Sequence, residues 1–279
     1  MNKYLSLSLV LAGAVAACSD SSDEIVRPPE GFQLVWSDEF DGAAGSAPDV
    51  STWAYDIGTG PNGDGWGNAQ LEFNTDQTTN VALDGNGNLA IIAREQSFAG
   101  SAYTSGRIKT EGNFAQQYGR IEARIKLPVG SGIWPAFWML GDDFAEVGWP
   151  QTGEIDIMEY RGQRPGTVIG SIHGPGFSGG DSISAQFSLE EGGFDDDFHV
   201  FAVEWDPSRI AWFVDDEVYN VVTAGDVVIG QNREWVFDHP FFIILNVAVG
   251  GTFVGPVGAD TVFPQTMLVD YVRVFSRVP

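Results

Sequence analysis

Three carboxylates, Glu154, Asp156 and Glu159, stand in the run GEIDIMEY between Gly153 and Tyr160, among the core-type residues Ile155, Ile157 and Met158. Two neighbouring carboxyls can break a glycosidic bond with retention: one attacks the anomeric carbon, the other protonates the leaving oxygen, at a separation of about 5–5.5 Å. A third acid between them can tune both, and mutual repulsion raises at least one pKa, as an acid catalyst requires. The same cluster is also compatible with a calcium site or a solvated strand face. Read as a strand, Glu154 and Asp156 share a face and the isoleucines point the other way. Glu159 is five positions from Glu154, so a regular pleat turns it to the wrong side. A β-bulge inserts one extra residue and returns it. At a rise of about 3.3 Å per residue the two glutamate backbones then lie about 13 Å apart, within reach of two long side chains leaning together.

Upstream, GIWPAFWML sets Trp134, Ala136 and Trp138 on one face of a second strand, a slot in which the apolar faces of sugar rings can stack, although tryptophan is as readily a core residue. GWGNAQLEF adds Trp66, Asn68, Gln70 and Glu72 as groups able to bond hydroxyls. His173 in SIHGPG is a substrate contact or a core histidine; His199 in FHVFAVEW reads as core.

These residues need strands to position them. RIEARIKL alternates Arg120, Glu122, Arg124 and Lys126 with apolar partners, a half-buried strand with one wet face. LAIIARE, FHVFAVEW, IAWFVDDEVYNVV, FFIILNVAVGG and MLVDYVRVF are further β-branched and aromatic runs, separated by turn signals such as DGNGN and GPGFSGGD. No segment has convincing helical periodicity. The pattern predicts an all-β fold, two packed antiparallel sheets in one domain spanning 31–279. The 279 residues carry 14 basic against 38 acidic side chains, a formal net charge of −24 that opposes nucleic acid and polyanionic glycans and suits a neutral substrate.

Residues 1–18, MNKYLSLSLVLAGAVAAC, read as an export signal whose ending VAAC resembles a bacterial lipobox, with Cys18 as the lipidated residue; an ordinary signal peptide with an incidental cysteine is the alternative. Cys18 is the chain's 1 cysteine, which excludes an intrachain disulfide. Residues 19–30 form an acidic, proline-closed linker. The expectation is an exported cell-envelope lipoprotein, a monomer that meets the membrane only through its lipid.

GEIDIMEY, together with LVWSDEFDG, GWGNAQLEF, YTSGRIKTEG, YGRIEARIKLPVGSGIWPAFWMLG and FPQTMLVDYVRVF in that order, resembles glycoside hydrolase family 16, in its laminarinase-like branch. The resemblance implies a jelly-roll β-sandwich of two curved sheets with a concave substrate cleft, and endo-hydrolysis of β-glycans with retention and no catalytic cofactor. Glu154 would be the nucleophile, Glu159 the general acid/base and Asp156 the residue tuning the nucleophile. Trp134 and Trp138 would line the subsites, with Asn68, His173 and Trp149 as further substrate contacts. A structural Ca²⁺ would be held by Glu39, Gly85 and Asp270, oxygen ligands of the kind calcium prefers. The chain departs from the branch at Ala69 and Gln70 and at Thr252 and Phe253, which bears on sugar preference. The substrate expected is a β-1,3-glucan. Mixed-linkage glucan, β-1,3-galactan and a non-catalytic glycan-binding role are the alternatives.

Overall fold

The computed structural model describes residues 28–229 and 232–279, so the expected export signal, Cys18 and most of the linker lie outside the described residues. Two sheets face each other. The first is seven-stranded, in the order β12 (Ile183–Ser188), β11 (Thr167–His173), β10 (Glu154–Tyr160), β9 (Ile133–Gly141), β16 (Phe241–Val249), β7 (Arg107–Lys109) and β2 (Ala54–Tyr55). The second runs β15 (Glu217–Thr223), β14 (Arg209–Val214), β13 (His199–Asp206), β8 (Gly119–Lys126), β17 (Gln265–Arg277), β5 (Leu89–Phe98), β6 (Ser101–Ser105) and β3 (Glu72–Asn74), with β1 (Phe32–Asp38) joined to β17 and β4 (Val81–Leu83) to β5. All pairings are antiparallel except β3 with β6. This is a jelly-roll β-sandwich. Among the described residues, helix is confined to short turns such as α1 (Phe144–Val147) and α2 (Ala224–Val228).

One apolar cluster fills the space between the sheets. It takes Ile155, Ile157, Met158 and Tyr160 from β10 and Phe201, Val203 and Trp212 from β13 and β14. Burying each such side chain contributes about 1.5–3 kcal/mol, enough for the strand to carry desolvated acids on its other face.

The wet face expected for β8 is dry at Arg120 and Glu122 and partly exposed at Arg124 and Lys126. Arg120 and Glu122 are 3% and 7% exposed. β8 is a central strand, and side chains from β13 and the β14–β15 turn close over it. Arg120 bonds Glu122 at 2.7 Å and Asp216 at 2.6 Å, with Glu204 at 3.5 Å. His199, expected in the core, is instead partly exposed on β13 and meets Asp215 at 2.6 Å.

Candidate active site

The chain enters β10 through Gly153, whose φ of +73° favours glycine and whose Cβ would stand 3.1 Å from the Phe241 ring. Along β10 the ladder then slips. Against β9, Asp156 pairs with Trp138 but Met158 with Phe137; against β11, Asp156 pairs with Ser171 and Glu159 with Ile169. Ile157 and Met158 therefore both stand opposite Gly170, and both side chains enter the core. The bulge turns Glu159 back to the face of Glu154 and Asp156. All three line a cleft of about 930 Å³ across the seven-stranded sheet, with Trp134, Trp138 and Trp149 around them.

Each acid has a different supply of hydrogen-bond donors. Glu154 Oε2 accepts the indole N–H of Trp149 at 3.0 Å. Glu159 Oε1 accepts that of Trp134 at 3.2 Å. His173 Nδ1 accepts the backbone N–H of Gly179 at 3.0 Å, which places the ring proton on Nε2. That Nε2 lies 3.1 Å from Asp156 Oδ2, out of line for a full hydrogen bond, and 3.6 Å from Glu154 Oε1. Asp156 is 3% exposed and its Oδ2 has no other partner. The ligand atoms of Glu154, Asp156 and His173 all fall within 4.8 Å of one another, as a metal centre would need. The tautomer argues against one, because Nε2 presents a proton rather than a lone pair.

Burial pushes the Glu154 carboxyl up to about 8, reinforced by Asp156, against the opposing pull of His173 and Trp149. Glu159 is raised to about 8 by burial and Asp156, with His173, Trp134 and Arg161 opposing. Burial also raises Asp156, and its hydrogen bond with Glu154 opposes the shift. Acids this close titrate as a cluster, so at neutral pH the site holds protons that solvated carboxyls would have lost. Geometry decides which acid ionises first. Glu154 has an indole N–H and, 3.6 Å away, the imidazole N–H; Glu159 has one indole N–H and a more distant guanidinium. The arrangement can present an anion at Glu154 and a proton at Glu159.

Asn68, His173 and Trp149 all line the cleft. Asn68 belongs to a tight turn, Gly65–Ala69, in which Trp66 and Ala69 adopt φ of 57° and 56°, strain of the kind that collects at functional sites. Its carbonyl accepts the Thr252 N–H at 2.8 Å. Glu72, expected to face hydroxyls, does not reach the cleft. It is 1% exposed and accepts the Val249 N–H at 2.8 Å, because β3 turns it under the end of β16.

Two arginines of the cleft escaped the sequence reading. The Arg107 guanidinium lies 4.4 Å from the Trp66 ring and 4.8 Å from the Trp138 ring, with Nε bonded to Asp56 at 2.8 Å. It thus covers one face of the Trp138 ring expected for sugar stacking. Arg161 lies 4.1 Å over Phe253, which in turn packs 4.8 Å from Trp134. Strand alternation gives the signal for Arg161, two positions beyond Glu159 on the same face. Arg107 carries no local signal beyond a cation in a strand.

Arginines engage the two acids of the calcium set. Both oxygens of Glu39 are taken by Arg273, at 3.1 and 2.8 Å, and Asp270 is bonded to Arg124 at 2.6 Å. Guanidinium groups engage both Glu39 oxygens and one of the two Asp270 oxygens, while Gly85 sits in the turn organised by Asp84.

Residues 65–271 match the sequence profile of glycosyl hydrolases family 16. The chain belongs to this family. As a family 16 hydrolase it is 40% identical over 283 aligned positions to the Beta-glucanase of Rhodothermus marinus, covering 100% of this chain and 96% of the relative. Among solved structures, the laminarinase catalytic domain from Thermotoga maritima MSB8 superposes with a TM-score of 0.84 at 48% identity, over 90% of this chain and 100% of that one. The endo-beta-1,3-glucanase from Pyrococcus furiosus gives 0.84 at 47%, over 88% and 95%.

Proposed function

We propose that this family 16 hydrolase is a retaining endo-glycosidase that cleaves internal β-1,3-glucosidic bonds of laminarin-like glucans by double displacement. The observation that carries the reading is the bulged strand, which sets three acids on one cleft face, Asp156 buried and both glutamates partly buried, with more donors at Glu154 than at Glu159. Glu154 attacks the anomeric carbon as the glycosidic C–O bond breaks, and the proton of Glu159 passes to the leaving oxygen. Glu159, now ionised, takes a proton from water; the hydroxide so formed attacks the same carbon, and the Glu154 carboxylate departs. Asp156 tunes Glu154 as a neighbouring charge on the same face, and the Trp149 N–H holds one Glu154 oxygen. Trp134, Trp138, Asn68 and His173 orient the sugars. No step calls for a cofactor. The similarity to laminarinases and endo-1,3-glucanases supports the linkage.

Azide separates the two glutamates. With an activated β-glucoside, Glu154→Ala plus azide yields the inverted α-azide, since azide replaces the nucleophile. Glu159→Ala plus azide yields the retained β-azide, since azide attacks the glycosyl-enzyme. The opposite pairing, or full activity of either variant without azide, refutes the roles.

A second reading, the same chemistry on mixed-linkage glucan or β-1,3-galactan, draws support from Gln70, Thr252 and Phe253, which line the cleft where the branch carries other residues. Product sizing on laminarin, mixed-linkage glucan and β-1,3-galactan distinguishes them; release from the galactan alone displaces the first reading.

We further infer from the leader and the VAAC sequence that the enzyme is exported and lipidated at Cys18. Cys18→Ser then releases it from membrane fractions, and an unchanged distribution counts against the anchor.

A further inference from the structure

The bulge that turns Glu159 into the cleft is held from the far side of the sandwich. Trp212 on β14 belongs to the opposite sheet, is 0% exposed, and donates its indole N–H to the backbone carbonyl of Asp156 at 2.8 Å. Asp156 is the last residue paired in regular register before the slip. A carbonyl at an interrupted ladder is easily left without a ladder partner, and an unsatisfied buried carbonyl costs about 1–3 kcal/mol. The niche is shaped for the indole on the β11 side as well. A Cβ at Gly170, the residue facing Ile157 and Met158 across the slip, would lie 2.7 Å from Trp212 Nε1. The carbonyl with its donor and the glycine with its clearance are separate observations, and both converge on one ring.

We propose that Trp212 is a positioning residue for catalysis: by fixing the Asp156 carbonyl it sets the bulge, and through the bulge the placement of Glu159 relative to Glu154. The inference rests on the glutamate roles proposed above. It assigns a part in the reaction to a side chain that lies outside the cleft and touches no substrate. Without the N–H, the strand can relax toward other registers around Ile157, and the acid drifts from the glycosidic oxygen. Displacements of about 1 Å at a reacting group cost up to about 100-fold in rate.

Trp212→Phe removes the donor and keeps most of the ring. Trp205→Phe is its control, because Trp205 is as deeply buried and donates to a backbone carbonyl outside β10 and its slip, that of Phe237 at 2.9 Å. Both variants lose an indole–carbonyl bond and some thermal stability. On laminarin, assayed at equal distance below each Tm, Trp212→Phe is expected to lower kcat by about 10- to 100-fold, leave KM within about twofold and move the alkaline limb of the pH profile. Trp205→Phe is expected to leave all three unchanged. Equal kcat in the two variants overturns the proposal, while the azide experiment above still judges the glutamate roles separately. If Trp212→Phe does not fold, indole N–H resonances of the unsubstituted enzyme decide. The Trp212 signal is expected to follow the titration of the acid cluster and lose that response in Glu159→Gln, whereas the Trp205 signal stays flat. A Trp212 signal indifferent to the titration overturns the proposal.

Discussion

Trp149 donates its indole N–H to Glu154 across 3.0 Å from a loop, although its own ring is 44% exposed. The bond favours the ionised form of Glu154, so its loss raises the proton affinity of the proposed nucleophile. In Trp149→Phe the acid limb of kcat/KM, where activity falls as the nucleophile protonates, is expected to move to higher pH by up to about one unit. An acid limb that stays in place separates this bond from the ionisation of Glu154.

The Trp134 N–H does the same for Glu159, whose proposed role as the acid uses its protonated form. Trp134→Phe therefore raises the Glu159 pKa further, and the alkaline limb is expected to move upward, extending activity into more basic solution. The effect on kcat at the optimum is a loss of about tenfold or less if the ring still packs on Phe253. A downward shift contradicts the assignment of Glu159 as the acid.

Glu72 offers a test of stability rather than rate. Burial pushes it up to about 8, against hydrogen bonds that include the Val249 N–H. The folded state thus holds a proton that the unfolded state releases near 4.5, so its contribution is present below that pH and is lost as pH rises toward 8. Glu72→Gln keeps an acceptor for Val249 and removes the titration. The variant is expected to gain Tm relative to the parent by several degrees at pH 8.5, and to show little difference at pH 4. Parallel Tm–pH curves for the two proteins exclude the effect.

Arg120 holds Glu122 under a cover that leaves both nearly dry. Arg120→Met strands a buried carboxylate and is expected to cost about 3–5 kcal/mol in urea unfolding. Because β8 belongs to the sheet away from the cleft, kcat of the folded fraction should not change. A loss of kcat without loss of stability would place Arg120 in a different role.

The sequence made much of this site legible, for physical reasons that can be named. Three acids spaced as Glu154, Asp156 and Glu159 share one face only if the strand is irregular, so the bulge follows from the spacing once a common face is required. Trp134 and Trp138 alternate with core residues, and a period of two carries them to the same side. What stayed hidden depends on distant chain. Glu72 looks like a cleft residue until its pairing beneath β16 is known, and Arg120 and Glu122 on β8 are dry because β13 and Asp216 cover them. The Trp212 contact joins positions 56 residues apart in sequence, and no local pattern announces it. The surroundings of the calcium set were hidden for the same reason: Glu39 meets a cation 234 positions away, and that cation is Arg273.

The turn holding Asn68 and the segment holding Thr252 and Phe253 are laced together, by Thr252 N–H to Asn68 carbonyl at 2.8 Å and by Leu71 N–H to Val249 carbonyl at 2.8 Å. They come from opposite ends of the chain yet form a single wall. Redesign of specificity by loop grafting should accordingly move them as a matched pair, since a transplanted half would arrive with its backbone contacts pointing at a stranger.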